Sequence, residues 1–161
     1  GATADYSTNT SKILRQSVIT DYQYNSFFVS ANLAFNLLKN IRLTENCRWA
    51  ISQSKSGNYK NIIRNFSNET SLSMAFIPDR LILNTNLQYT HNSGFTDKKD
   101  YTFMNISITF KTKKKIQFVL NFDNVFNTKT FTYRSNSNLS ESYTCYQLRP
   151  RSVMLTSHFA L

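Results

Sequence analysis

Apolar and polar residues alternate along most of this 161-residue chain. The alternation is clearest between Ser26 and Leu38, where Phe27, Val29 and Leu33 share one parity. It recurs over 41–52, 59–77, 81–89, 103–110, 116–123 and 152–161. Side chains on a strand point to opposite faces with period two, so each segment is predicted to be a strand with one apolar face. A weaker pattern predicts a further strand over 11–20, preceded by a flexible polar segment over 1–10.

The connections between these strands alternate in length. Short turns are predicted at 39–40, 78–79 and 113–114, and polar loops are predicted at 21–25, 53–58, 91–100 and 128–149. Counting strands back from the C-terminus puts the short turns at one end of the sheet and the loops at the other. This arrangement is typical of outer-membrane barrels. Residues 11–161 are therefore predicted to form one all-β domain, an antiparallel up-and-down meander of about eight strands. It would be a transmembrane β-barrel or a C-terminal segment of a larger one.

Composition agrees with this prediction without requiring it. Mean hydropathy is −0.40 and hydrophobic residues make up 40%, values that suit both a soluble protein and a barrel in which every second strand residue meets lipid. Aromatic residues reach 14%, which favours strands. No apolar run of about 18 residues occurs, which excludes a transmembrane helix.

Glu45 and the two cysteines leave alternatives open. Glu45 interrupts its apolar face, so Glu45 lies near a membrane interface, lies in a bulge, or argues against lipid. Cys47 and Cys145 would form either one disulfide or two free thiols, and their spacing matches no metal site.

Catalytic chemistry is not indicated by the sequence. His91 and His158 are interpreted as polar strand or loop residues, and Asp123 as an inward-facing carboxylate. No phosphate loop or nucleophile elbow is present. We therefore expect no enzyme activity and no cofactor.

The C-terminal quarter contains a recognisable sequence motif. Asn124, Phe126 and Asn127 end one strand, a loop follows, and Pro150-Arg151 precedes a final alternating strand that contains Phe159 and Leu161. This arrangement resembles the C-terminus of TonB-dependent outer-membrane receptors, most closely the nutrient-importer-like type of Bacteroidetes. That family usually ends on an aromatic residue, whereas this chain has Leu161 there and Phe159 two residues earlier.

The resemblance implies a location and a function. The chain would be the last eight strands of a barrel of about 22 in the bacterial outer membrane, a C-terminal portion of a receptor for uptake of a glycan, peptide or metal chelate. Loops 53–58, 91–100 and 128–149 would face the ligand, whose identity the sequence does not give. Open sheet edges would pair with the remainder of the barrel or with copies of the chain. A lipid-facing band is expected at Phe27, Leu33, Leu83, Ile106, Phe118 and Leu155.

The net charge of +10 leads to the alternatives. Basic residues interleaved with aromatic ones over 98–151 suit a soluble basic β-barrel or sandwich that binds a ligand or nucleic acid. The predicted topology splits these charges between two ends of the sheet, which favours contacts with outer-membrane lipid or lipopolysaccharide over nucleic acid. A self-contained eight-strand outer-membrane barrel is the third possibility.

Overall fold

The protein, seen here in a computed structural model that describes residues 1–15, 18–94, 98–113, 116–136 and 141–159, is built from antiparallel strands. The strands are β1 (Ala2–Arg15), β2 (Val18–Leu38), β3 (Ile41–Ser56), β4 (Tyr59–Ile77), β5 (Leu81–Asn92), β6 (Asp100–Lys111), β7 (Ile116–Asp123), β8 (Thr130–Asn136), β9 (Glu141–Gln147) and β10 (Ser152–Phe159). Within the described ranges, no helix has the length and hydropathy needed to cross a membrane.

Eight of these strands form one sheet in the order β1-β2-β3-β4-β5-β6-β7-β10, and β8 and β9 form a separate hairpin. Each strand of the large sheet pairs with its neighbour in the chain, apart from the step from β7 to β10 across the hairpin. The predicted eight-strand antiparallel meander is thus confirmed. The sheet is open rather than closed, because β1 and β10 each pair on one side only.

The beginning of the sheet differs from the sequence prediction. Residues 1–10, predicted to be a flexible polar segment, lie in β1, and the loop predicted at 21–25 lies inside β2. Polar contacts help to hold β1 against β2: the Thr3 and Ser30 hydroxyls are 2.6 Å apart, and Thr8 donates to the Asn25 side chain at 2.7 Å. A ladder of this kind leaves no apolar alternation in the sequence, which is why the prediction missed it.

The connections sort into two ends. Those that join β2 to β3, β4 to β5 and β6 to β7 lie at one end, here named the turn end, and the others lie at the loop end. Positive φ angles at Asp79 (59°) and Gly57 (56°) allow tight turns. Because Gly57 turns so sharply, β3 and β4 extend into the loop predicted at 53–58. The predicted short turns are confirmed, except that residues 114 and 115 lie outside the described ranges.

The long loop predicted at 128–149 contains β8 and β9, a correction to the sequence prediction. This hairpin packs against the sheet through Phe131, whose ring centroid lies 5.0 Å from that of Tyr101 and 5.8 Å from that of Phe103. Among the described residues, the buried apolar side chains are those of Tyr22, Ile63 and Tyr101, and all three lie near the loop end. The core is therefore small and confined to the place where loops cover the sheet.

Candidate functional site

Strand register divides the sheet into an apolar face and a polar face. Along one row, Leu43 pairs with Phe35 and Leu72, and that row continues through Thr85 and Ile106 to Phe122. We name the side that carries this row the apolar face. The residues predicted to face lipid all lie on it: Phe27, Leu33, Leu83, Ile106, Phe118 and Leu155.

The apolar face has no second layer of protein among the described residues. Leu33 is 48% exposed, Phe35 47% and Leu155 68%. The total accessible surface is 11307 Å², about 3,000 Å² more than the roughly 8,300 Å² that a compact monomer of this size exposes. An apolar patch of this extent marks a surface that contacts something else.

Two rows of aromatic side chains border this face, a feature that the sequence prediction missed. The loop-end row consists of Tyr6, Phe27, Trp49, Phe66, Tyr89 and Phe122, and the turn-end row of Phe35, Phe76, Phe110, Phe118 and Phe159. Within the first row, the rings of Phe27 and Trp49 meet edge to face at 6.0 Å between centroids. Aromatic residues near one or both ends of several apolar runs were the signal in the sequence.

The aromatic rows run obliquely to the strands. Through the strand pairing, Phe122 on β7 is aligned with Phe35 on β2. The residue of β2 that belongs to the same aromatic row as Phe122 is Phe27, which lies eight residues along the strand from Phe35. A shift of eight residues is about 26 Å along the strands, over five strand spacings that total about 24 Å. The loop-end row therefore lies at about 45° to the strands, close to the 35–45° tilt of barrel strands.

Strand tilt also sets the height of the apolar band. On β2, Phe27 and Phe35 are separated by about 26 Å along the strand, and on β4, Phe66 and Phe76 by about 33 Å. At a tilt of 45° these separations correspond to about 19 and 23 Å across the band, against about 25 Å for an outer-membrane barrel. The rows converge on β7, where Phe118 and Phe122 are close in sequence.

One polar cluster lies within the band. Glu45 accepts hydrogen bonds from Thr70 at 2.7 Å, from Cys47 at 3.7 Å and from the Asn68 amide. The ladder is continuous on both sides of Glu45, so the bulge interpretation is wrong. Side-chain donors on its own and the neighbouring strand reduce the cost of placing the carboxylate among apolar groups.

The opposite side of the sheet is the polar face, lined by amide and hydroxyl side chains. A hollow of about 440 Å³ is bordered there by Arg42, Ser71, Asn84, Asn86, Asn105, Ser107, Asn121 and Asp123. A second hollow of about 390 Å³ is bordered by Ser30, Asn32, Asn46, Arg48, Ser67, Glu69, Gln88 and Thr90. Asn86 links the two by donating to Glu69 at 2.7 Å and to Ser71 at 2.9 Å. This face can form hydrogen bonds with water or with a polar solute.

The loop end of the polar face is partly covered. Tyr22 is buried there, and burial raises the pKa of its hydroxyl, an effect opposed by a hydrogen bond with Ser54. The loop after β5 approaches Ile63 so closely that a Cβ at Gly94 would lie 3.1 Å from Ile63 Cδ1. The hairpin and this loop therefore narrow the approach to the polar face.

The motif residues secure the base of the hairpin. Asn124, at φ 50°, donates through Nδ2 to the carbonyl oxygens of Thr128 and Arg149, both at 2.9 Å, and its Oδ1 accepts from the Thr128 amide. Asn127 accepts from the Arg151 amide at 3.2 Å. Asn124 thereby joins the two arms that lead into and out of β8 and β9. Phe126 is exposed, Pro150 adjoins this base, Phe159 lies in the turn-end row, and Leu161 lies outside the described ranges.

His91 lies beside a carboxylate, and the two cysteines are not linked to each other. His91 Nδ1 lies 2.8 Å from Asp100, and the Tyr89 hydroxyl donates to the same oxygen at 2.5 Å. These two hydrogen bonds hold the pKa of Asp100 below its usual value. Both cysteines are free thiols, which selects one of the two alternatives drawn from the sequence.

Comparison of the chain with protein-family models, with curated proteins and with solved structures gives no match. The structure therefore supports an open antiparallel meander with one apolar and one polar face, and the function is argued from that geometry.

Proposed function

We propose that this chain is a segment of an outer-membrane β-barrel, the C-terminal barrel portion of a TonB-dependent receptor that takes up a nutrient. The observation that carries the membrane assignment is the uncovered apolar face bordered by two oblique aromatic rows. Barrels in the outer membrane have an apolar band about 25 Å tall with aromatic girdles at both interfaces, and the band on β2 and β4 approaches that height.

The polar face supports a channel wall. Its hollows are lined by Asn, Ser, Thr and Gln with few charges, a surface that suits a hydrated lumen. In a soluble sandwich the apolar face of the sheet would be covered by a second layer of protein, and the described residues provide no such layer. The uncovered apolar face therefore disfavours the alternative of a soluble basic binding module.

The open edges support a larger barrel over a self-contained one. β1 and β10 do not pair with each other, and unpaired backbone groups are costly in a bilayer. In our proposal further strands of the receptor satisfy these groups.

Cell fractionation with an antibody to residues 128–149 tests the proposal. We expect a band in the outer-membrane fraction several-fold heavier than the 18.7 kDa of this chain, with a mobility that changes on heating. A band of about 18.7 kDa in the same fraction would favour a self-contained barrel. A band in the soluble fraction would refute the membrane assignment.

A further inference from the structure

Exposed cations lie on the apolar side of the sheet beyond the loop-end row. The register of β3 and β4 puts Lys55 directly opposite Lys60, on the face that carries Trp49 and Phe66. Arg64 lies on this face too, between the lysine pair and Phe66. All three cationic side chains are exposed. These residues are separate from the basic stretch over 98–151 that the sequence emphasised.

The lysine pair is not neutralised by the part of the chain that the structure describes. Like charges directly opposite each other destabilise a sheet. No ion pair involves Lys55, Lys60 or Arg64 among the described residues, and the acid on the adjoining strand, Asp21, lies opposite Lys12. An anion bound from outside would remove this repulsion.

The three cations lie at two heights above the aromatic row. Arg64 is two residues past Phe66, about 7 Å along the strand, and Lys60 is six residues past it, about 20 Å. At a 45° tilt these distances become about 5 and 14 Å above the row that marks the membrane interface. A glycerophospholipid places one phosphate near the lower height. A glycolipid with phosphates or carboxylates on a sugar core places anions at both.

We propose that Lys55, Lys60 and Arg64 form a binding site for a polyanionic glycolipid of the outer leaflet, with the chemistry of lipopolysaccharide. This inference rests on the proposed membrane function and adds to it a defined lipid site. Arg64 binds the phosphate nearest the acyl chains, and the lysine pair binds the anions of the sugar core. Each cation near a membrane surface contributes about a fivefold gain in affinity, so the three together contribute roughly 100-fold.

The test uses the protein purified from native membranes in nonionic detergent and freed of lipid. It is titrated with lipopolysaccharide and separately with phosphatidylglycerol, with the heat of binding measured by calorimetry as the signal. The variant Lys55→Gln/Lys60→Gln/Arg64→Gln is compared with a control at the turn end, Lys39→Gln/Lys111→Gln/Lys113→Gln, which removes the same charge. We expect the first variant to bind lipopolysaccharide roughly 100-fold more weakly and the control to bind like the wild type.

A second variant separates binding from folding. Lys60→Glu places an opposite charge across from Lys55, which favours the sheet, and it should still weaken lipopolysaccharide binding. Equal losses in both triple variants, or phosphatidylglycerol binding as tight as lipopolysaccharide binding, would overturn the site. Absence of the protein from the outer membrane would overturn the site and the proposed function together. Presence there with unchanged affinity in the first variant would overturn the site alone.

Discussion

Replacing Ile106 by arginine tests which medium covers the apolar face. Ile106 lies midway along the band on β6, with Thr85 and Phe122 as its partners on the two neighbouring strands. An arginine at the midplane of an outer-membrane barrel costs about 2–4 kcal/mol, a factor of roughly 30 to 1,000 in the folding equilibrium. The matched control is Ser107→Arg, one residue away on the polar face, which should cost less than about 1 kcal/mol because a hydrated lumen accommodates the charge.

Water, lipid and protein give different results at this position. If water covered Ile106, arginine there would change stability by only about 0.5 kcal/mol, as at most surface sites. If a layer of protein covered it, the larger Ile106→Phe side chain would cost about 1–3 kcal/mol through overpacking. Lipid chains adapt to shape, so in a bilayer Ile106→Phe should be nearly neutral. The pair of substitutions therefore distinguishes all three media.

The assay is reversible urea unfolding of the protein in phosphatidylcholine vesicles, followed by tryptophan fluorescence, to which Trp49 contributes. The free energy of unfolding is compared for the wild type and the three variants at equal lipid-to-protein ratio. Equal costs for Ile106→Arg and Ser107→Arg, or a large cost for Ile106→Phe, would refute the argument that the apolar face meets lipid.

Three further predictions follow from the contacts. Trp49 belongs to the loop-end row, so the fluorescence that Trp49→Phe removes should be quenched more by bromine near the lipid carbonyls than by bromine at the chain ends. Asn124→Ala removes the hydrogen bonds to Thr128 and Arg149 and should accelerate proteolysis within 128–149 while the large sheet persists; Asn124→Gly, which tolerates the positive φ, separates the lost bonds from backbone strain. Because hydrogen bonds lower the pKa of Asp100, wild type should be more stable than Asp100→Asn above about pH 4. That difference in the urea midpoint should vanish as the pH falls through the lowered pKa.

The sequence predicted strands wherever one face alternates with the other. The strand around Leu33 and those around Leu83, Ile106 and Phe118 were found because an apolar side chain recurs at every second position. β1 was misplaced because Ser, Thr and Asn side chains form many of its contacts with β2 and leave no regular apolar alternation. β8 and β9 were missed because their apolar contact with the sheet rests largely on Phe131, one residue in a polar stretch.

Much of the candidate site depends on register, which a single sequence does not provide. The lipid-facing residues could be assigned to one face of each strand, but the oblique aromatic rows and the Lys55–Lys60 pair emerge only when neighbouring strands are aligned. Glu45 shows the same dependence. Within β3 alone it interrupts an apolar face, whereas beside β4 it meets the Thr70 and Asn68 donors. A carboxylate that is costly alone becomes tolerable when hydrogen-bonded.

The low mean hydropathy of −0.40 and the large exposed apolar surface have one physical origin. Each strand residue belongs to one of two environments, so averaging along the chain cancels a contrast that the folded sheet separates in space. A soluble sheet would need a second layer over Leu33, Phe35 and Leu155, and the part of the chain that the structure describes supplies none. The single layer is stable only where another apolar medium takes the place of that layer, and the aromatic rows at both borders of the face identify this medium as a lipid bilayer in our proposal.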